Sequence, residues 1–376
     1  MRTEFLLILG IALCAASCRK EPSVTPDTGR CPVEFEVADV TKGMPTLSTL
    51  ERLAAQDFSV SAFYSPEGEA FGNASSPYVR NHRFGLDGST WRGITRSGGL
   101  AADPIFYPLD GTLSYFCYAP YRADVSDASD VYVNYAPDAS VTARMPGYLP
   151  GSPLICFTPS ANAYNQIDFI AAIPVVDVRR TDGVVPLDFT HHLTTAVQFW
   201  FKYTGVVLPG EGVLIDRIVI RNVNASEYLY FTERNRELGF EWCGNVSPVD
   251  GSATLPRTTY TLTNASSALT NSFLTKTAPI YVNETINGSL YLLPQVLPAD
   301  AELEIRYLIK DRSNGALIDE NVVTVPLFGT PDWPVGKTVR YTFTLDIPNR
   351  QIVDIATDIT DWVGSGNTHS PQELMY

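Results

Sequence analysis

The amino-acid sequence predicts an all-β protein made of two consecutive β-sandwich domains. Apolar and polar residues alternate with a period of two along many short segments, as in strands that bury one face and expose the other. Glycine, proline, asparagine and aspartate separate these segments in the manner of tight turns. Helical periodicity is nearly absent and is confined to one short segment around Leu47, Leu50, Leu53 and Ala54. Many short strands with such turns favour sandwiches.

The chain opens with an apolar run, residues 5–16, which follows Arg2 and ends in small residues just before Cys18. About a dozen apolar residues suit the core of a secretory signal, whereas a membrane-spanning helix needs roughly 20. The letters LCAASC resemble the lipobox of bacterial lipoproteins, which implies removal of residues 1–17 and acyl chains on Cys18. The alternative is an ordinary signal peptide cut at an Ala-x-Ser site.

The remaining length suits two domains, because a domain usually has about 100–200 residues. Residues 18–30 contain two prolines and few apolar side chains, so we interpret them as a lipidated linker. A charged, turn-forming segment at residues 179–183 follows an apolar region and precedes a new set of strands. We therefore predict an amino-terminal domain at residues 31–180 and a carboxy-terminal domain at residues 181–376.

The clearest strand lies at residues 338–347, where five apolar residues alternate with polar ones. The same alternation predicts strands at residues 33–37, 58–64, 196–203 and 302–307. The turn residues Ser313, Asn314 and Gly315 separate two strand-like runs, 302–310 and 318–325. This arrangement predicts a β-hairpin.

Charge excludes nucleic acid as a partner. The net charge is −14, from 27 basic and 41 acidic residues, and no basic cluster interrupts the acidic background. Binding to phosphates requires a concentrated face of lysine and arginine.

No motif indicates catalysis, a cofactor or a metal. The sequence contains neither a Gly-x-Ser-x-Gly nucleophile motif nor a glycine-rich phosphate loop. Asp354, Asp358 and Asp361 occur among turn residues and suit solvent-facing positions. His191 and His192 are adjacent, so on an extended chain they point to opposite faces. We predict one buried, hydrogen-bonded histidine and one exposed histidine rather than a metal site, and we predict that the protein is not an enzyme.

Four further cysteines, Cys31, Cys117, Cys156 and Cys243, are widely spaced and form no Cys-x-x-Cys pair. We predict buried free thiols, with disulfides as the alternative in an exported protein.

Five separated pieces of the sequence resemble the fimbrillin-like lipoproteins of Bacteroides-type bacteria, which are subunits of type V pili. The first piece is the lipobox followed by the strand PVEFEV (residues 32–37), then VTKG (40–43) and FSVSAFY (58–64). The others are YPLDGTLSYFCYAP (107–120), LDFTHHL (187–193), LYLLPQ (290–295) and ITDW (359–362). Together they span nearly all of the chain beyond the signal segment.

The resemblance implies two tandem transthyretin-like, Greek-key β-sandwich domains and a defined route of assembly. In that route a protease removes the first strand of a lipidated precursor, and a strand from another subunit fills the groove. Carried onto this sequence, the removable strand is residues 33–40, and the cut follows Lys42 and leaves Gly43 as the new terminus. The family pattern has arginine there, so the alternatives are a lysine-tolerant protease, a cut at Arg52, or no cut.

The donor strand implied by the resemblance lies within residues 351–363. Its apolar side chains are Ile352, Val353, Ile355, Ile359, Trp362 and Val363. The alternative is that this segment completes its own domain.

The predicted function is that of a structural or accessory subunit of a surface pilus, with a role in cell adhesion. The expected partners are other pilus subunits, the outer membrane through the lipid on Cys18, and a ligand on a host or bacterial surface. The alternative is an outer-membrane surface lipoprotein that binds glycans.

Overall fold

A computed structural model describes residues 30–37, 57–95, 101–123, 130–189, 191–264, 268–283 and 289–361. These residues form an all-β structure with several sheets, which confirms the all-β part of the predicted fold class. Within them, 23 strands make four sheets, and the helical elements are the four-residue α1 (Ala139–Thr142) and a 3-10 turn at Ala163–Asn165. The predicted signal segment, most of the linker and the predicted helix around Leu50 lie outside the described residues.

The strands are, in chain order, β1 (Phe35–Val37), β2 (Phe58–Ser65), β3 (Ser76–Asp87), β4 (Thr90–Thr95), β5 (Ala101–Ala102), β6 (Thr112–Ala119), β7 (Val131–Asn134), β8 (Leu154–Phe157), β9 (Ile170–Ala171), β10 (Val175–Val178), β11 (Val185–Leu187), β12 (His191–His192), β13 (Thr195–Thr204), β14 (Glu211–Asn224), β15 (Glu227–Arg234), β16 (Glu237–Trp242), β17 (Arg257–Thr263), β18 (Ile280–Tyr281), β19 (Leu290–Leu292), β20 (Glu302–Asp311), β21 (Leu317–Pro326), β22 (Lys337–Asp346) and β23 (Gln351–Asp361).

The amino-terminal sheet has ten strands in the order β11-β1-β4-β3-β2-β6-β9-β12, with β10 beside β6 and β5 beside β4. A four-stranded bridging sheet has the order β16-β15-β8-β7. The first carboxy-terminal sheet has the order β18-β13-β22-β23, with β19 beside β13, and the second has the order β17-β14-β20-β21. These four names are used below.

The two carboxy-terminal sheets enclose one apolar core, and the alternation in β22 explains how. Val339, Tyr341, Phe343 and Leu345 are all 0% exposed and pack in one cluster with residues of the second carboxy-terminal sheet such as Ile305. The prediction for residues 338–347 is therefore confirmed. The predicted hairpin is also confirmed, because β20 pairs antiparallel with β21 around a turn in which Gly315 has a φ of +73°.

The prediction that β2 exposes one face to water is wrong. Ser59 and Ser61, on the face predicted to be wet, are 0% and 2% exposed. Phe63 on that face packs in a cluster with Phe231 of the bridging sheet, and the hydroxyl oxygens of Ser61 and Tyr135 lie 3.0 Å apart. The second face of β2 is dry because the bridging sheet covers it.

The bridging sheet joins distant parts of the chain. β15 and β16 lie between β14 and β17 in sequence, yet β15 pairs antiparallel with β8, placing Leu229 opposite Ile155. β11 and β12 also lie beyond residue 180 but belong to the amino-terminal sheet. The division into residues 31–180 and 181–376 stays a prediction, and the strands on either side of it share two sheets.

Candidate functional site

The candidate site is the cleft that the first strand occupies in the amino-terminal sheet. β1 lies between two strands: it runs parallel to β11, with Phe35 opposite Val185, and antiparallel to β4, with Phe35 opposite Trp91. β1 is therefore an interior strand, although it has only three residues. Its removal would leave unpaired backbone groups on both neighbouring strands.

The side chains of this segment alternate between the core and the solvent. Val33, Phe35 and Val37 are 1%, 2% and 7% exposed, whereas Glu36 points outward and is exposed. Full burial of a valine or phenylalanine side chain contributes about 1.5–3 kcal/mol to stability. Three such side chains fix the segment in place without a covalent bond to the strands beside it.

Phe35 is the central anchor of the cleft. Its ring centroid lies 4.9 Å from that of Phe84, 5.1 Å from that of Tyr115 and 6.0 Å from that of Phe58. All three contacts are edge-to-face, the geometry in which the positive edge of one ring meets the negative face of another.

Backbone hydrogen bonds also hold the residues that precede β1 in the cleft. The Val33 amide donates to the Ile105 carbonyl oxygen at 2.8 Å, and the Tyr107 amide donates to the Cys31 carbonyl oxygen at 2.9 Å. The guanidinium of Arg30 lies 5.6 Å from the ring centroid of Phe106. The cleft therefore binds residues 30–37 as one extended segment.

The predicted processing sites fall on either side of that segment. Of the predicted removable strand, residues 33–37 lie in the cleft, and residues 38–40 are outside the described part of the chain. Cys18, Lys42, Gly43 and Arg52 are also outside it. Lipidation and cleavage at these residues stay predictions.

The predicted donor residues lie in β23, at the edge of the first carboxy-terminal sheet. β23 pairs antiparallel with β22 and is its sheet's last strand. Ile352 and Ile355 pack partly against the core, whereas Val353 and Ile359 are 48% and 41% exposed. In this structure β23 pairs with a strand of its own chain, and its use as a donor strand for another subunit stays a prediction. Trp362 and Val363 lie outside the described residues.

Ion pairs join β23 to β22 across the strand pair. Lys337 Nζ lies 2.5 Å from Asp361 Oδ1, and Arg340 Nη2 lies 2.7 Å from Asp358 Oδ2. Asp354, Asp358 and Asp361 are all exposed, as predicted. Among the described residues, no group of three or more His, Cys, Asp or Glu side chains is arranged to hold a metal ion.

The two histidines differ in exposure, and the less exposed one has a hydrogen-bonding partner, as predicted. His192 is partly buried and its Nδ1 lies 2.8 Å from Asp168 Oδ1. His191 is exposed, and its ring centroid lies 5.2 Å from that of Phe240.

The four described cysteines are free thiols, as predicted, but only two of them have the predicted burial. Cys117 and Cys243 are buried, and Cys31 and Cys156 are partly exposed. Burial raises the pKa of the Cys156 thiol to about 11, so at neutral pH it is protonated and a weak nucleophile.

Exposed aromatic side chains, which glycan binding would require, occur at three separate places in the described residues. Tyr78 of β3 is 42% exposed, Tyr132 of β7 is 45% exposed and Phe328, after β21, is 58% exposed. Glycan binding stays a hypothesis.

The sequence did not reveal which residues line the cleft. Phe84, Trp91 and Ile105 pack around the first strand, but each lies on the apolar phase of its own segment, as any core residue would. One signal was present: Tyr107 and Tyr115 belong to the second piece of the family resemblance, and Leu187 and Phe189 belong to the third. All four pack in the same cluster as Phe35.

Gly93 of β4 allows the segment that contains Asp103 to lie close against this strand. A Cβ atom added there would lie 2.0 Å from the Asp103 carbonyl oxygen, and the Asp103 amide donates to the Gly93 carbonyl oxygen at 2.8 Å. We expect Gly93→Ala to lower the free energy of unfolding by about 1–3 kcal/mol, because β4 or the 103 segment must shift.

Urea denaturation of the purified chain measures this loss. Gly239→Ala in β16 is the matched control, because its added Cβ would lie 3.4 Å from Thr232 Oγ1, at ordinary contact distance. Equal midpoints for the two variants would contradict the prediction.

Both the sequence and the structure of this chain are similar to those of known proteins. A sequence model of the fimbrillin-like family matches residues 52–362, more than half of the chain. The structure is similar to that of a fimbrial protein from Bacteroides vulgatus, with a TM-score of 0.57 and 16% identity over 89% of this chain and 100% of the other. At this identity, the likeness shows a shared fold.

Two further solved structures are similar over most of their length. A putative cell adhesion protein from Bacteroides uniformis gives a TM-score of 0.44 at 13% identity, covering 90% of this chain and 100% of its own. Another, from Bacteroides ovatus, gives a TM-score of 0.44 at 18% identity, covering 89% and 99%. No curated protein sequence matches the chain. Among the described residues, no helix is long and apolar enough to cross a membrane.

Proposed function

The chain belongs to the fimbrillin-like family, and from this premise we propose that it is a structural or accessory subunit of a surface pilus that contributes to cell adhesion. We also propose that its two halves are tandem transthyretin-like sandwiches, and that it is exported as an outer-membrane lipoprotein with acyl chains on Cys18. Several acyl chains on one residue give lasting attachment, whereas a single chain gives marginal attachment.

The observation that supports this proposal is the position of β1 inside the amino-terminal sheet. A short strand with neighbours on both sides and three buried apolar side chains is replaceable by another strand of the same pattern. Its loss exposes apolar surface together with unpaired N–H and C=O groups, and an added strand restores both kinds of contact.

The connectivity of the sheet also favours removal of this strand. β1 and β2 are consecutive in the chain, but β1 pairs with β11 and β4, whereas β2 pairs with β3 and β6. One cut in the connection between them therefore leaves residues 30–37 attached to the rest of the protein only through noncovalent contacts. Lys42 and Arg52 lie in that connection.

The strand that replaces β1 has two candidate sources. One is residues 351–363 of another copy of this chain, whose described part is an edge strand with two partly buried isoleucines. The other is a strand of a related subunit. Either source joins subunits through backbone hydrogen bonds, so the proposed role requires no enzymatic chemistry.

Limited proteolysis tests the proposal. We expect a trypsin-like protease to cut purified protein after Lys42 and to release the first strand. Ladders of oligomers on denaturing gels should follow if another copy of this chain supplies the replacing strand. Lys42→Ala should block both the cut and the ladder, whereas the matched variant Arg52→Ala should leave both unchanged. The reverse pattern would place the cut at Arg52.

Protein that is cleanly cut in this connection and stays monomeric would exclude another copy of this chain as the source of the strand, and cut protein that also fails to rebind a peptide of its own first strand would contradict strand replacement. The mass of the mature amino terminus isolated from the cell surface tests the other two steps, because it reports acylation of Cys18 and cleavage together. An unmodified terminus that begins at a residue other than Cys18, Gly43 or Leu53, the residue after Arg52, would contradict the proposed route.

A further inference from the structure

The pocket around Phe35 is closed on every side that the structure describes. Phe58, Phe84 and Tyr115 are each 0% exposed, and each ring contacts Phe35 edge-to-face. Trp91 and Val185 lie opposite Phe35 on the two neighbouring strands. The walls are therefore part of the core and cannot collapse inward without repacking it.

The backbone around the pocket fixes register and direction. A bound strand must run parallel to β11 and antiparallel to β4, as β1 does. With Phe35 in the pocket, positions 33 and 37 also face the core, at 1% and 7% exposure. Glu36, between positions 35 and 37, is exposed and lies opposite Pro186, which has no backbone N–H to donate. The cleft thus selects side chains at three alternate positions.

We propose that the Phe35 pocket determines which strand replaces β1, and that the incoming strand carries an aromatic residue flanked by apolar residues two positions before and after it. This inference rests on the proposed function. A small side chain at the central position would leave a cavity lined by the three aromatic rings that contact Phe35, and such cavities are costly. An aromatic anchor buried at the centre of an interface is the usual source of binding energy.

Residues 351–363 fit this requirement poorly. No part of the segment places three apolar side chains at alternate positions, since Val353 and Ile355 are followed by Thr357. Its single aromatic residue is Trp362, and with Trp362 in the pocket the flanking positions would be Thr360 and Gly364. We infer that the replacing strand comes from a different subunit with an apolar-x-aromatic-x-apolar sequence.

Peptide binding to the cut protein tests this inference. The full chain without its signal segment carries a site for a sequence-specific protease inserted after Lys42, and mild urea releases the first strand after cleavage. A labelled peptide of residues 30–40 should then bind, as measured by fluorescence anisotropy. The Phe35→Ala peptide should bind roughly 100-fold more weakly, and the matched Glu36→Ala peptide should bind within about twofold. A peptide of residues 351–363 should also bind roughly 100-fold more weakly than the native peptide.

The outcomes separate the inference from the proposed function. If the native peptide does not bind, strand replacement itself is contradicted. If the native and Phe35→Ala peptides bind equally, strand replacement stands and the role of the pocket is overturned. If the 351–363 peptide binds as tightly as the native peptide, the inference of a different subunit as the source is overturned.

Discussion

Replacement of Phe35 by alanine is expected to lower the free energy of unfolding of the intact chain by about 3–5 kcal/mol. The phenylalanine is 2% exposed and contacts three fully buried rings. Truncation to alanine removes its transfer free energy and its ring contacts, and it leaves a cavity whose aromatic walls cannot close. The loss should be largest in the amino-terminal sheet, where β1 joins β11 to β4.

Denaturant titration and amide hydrogen exchange together measure this effect. The amides of β4 and β11 should exchange faster in Phe35→Ala, while those of β22 should keep their protection, because β22 belongs to a separate core. Phe328→Ala removes the same number of atoms from a side chain that is 58% exposed. This control should change stability by less than about 0.5 kcal/mol.

Equal stability of the Phe35→Ala and Phe328→Ala variants would show that the first strand adds little to the fold. That result would also weaken the proposed assembly route, which depends on a cleft that is costly to leave empty. In the proposed assembly route, the expected large loss has a functional meaning, because a precursor would stay folded while its own strand fills the cleft. Cleavage would then allow a better-fitting strand to displace that segment.

The local pattern of apolar, polar and turn-forming residues was sufficient to predict the carboxy-terminal strands. In β22 the apolar phase is uninterrupted from Val339 to Leu345, and one face of its sheet packs on the second carboxy-terminal sheet. The hairpin of β20 and β21 was predictable for a similar reason, because its two strands are adjacent in sequence and the turn contains Gly315. In both cases the information that fixes the structure lies within a few residues.

The surroundings of β2 and β1 depend on segments that are distant in sequence. Ser59 and Ser61 resemble a solvent-facing phase, but they are buried. Phe63 of the same face packs against the bridging sheet, which includes a hairpin from after β14. For the first strand, the sequence predicted the inward phase of residues 33–37. It did not predict the parallel pairing of Phe35 with Val185, because no periodicity within either segment encodes a partner so far along the chain.

The bridging hairpin also carries a buried carboxyl group that should make stability depend on pH. Glu227 begins β15, pairs with Phe157 of β8 and is 2% exposed. Burial raises the pKa of its carboxyl group from the ordinary value of 4.5 to about 8, because the ionised form loses its hydration. Between these two values the folded chain holds a proton at Glu227 that the unfolded chain has released.

The sign of the effect follows from that difference in bound protons. Because the folded state binds more protons, stability falls as the pH rises, by about 1.4 kcal/mol per pH unit. The fall begins near the ordinary value of 4.5 and ends near 8, so the whole penalty is on the order of 5 kcal/mol above that window. Glu227→Gln keeps the shape and removes the titration, so its stability should change less across the window and exceed that of the unaltered chain at pH 8–9.

Denaturant titrations at several pH values from 4.5 to 9 test this prediction for both chains. The matched control is Glu237→Gln, which removes an exposed carboxylate from the neighbouring strand β16 and should keep the pH dependence of the unaltered chain. Because Glu227 lies in the strand pair that joins β15 to β8, the amides of this pair should also lose exchange protection first as the pH rises. Stability curves of Glu227→Gln and the unaltered chain that run parallel from pH 4.5 to 9 would contradict the assignment of this pH dependence to Glu227.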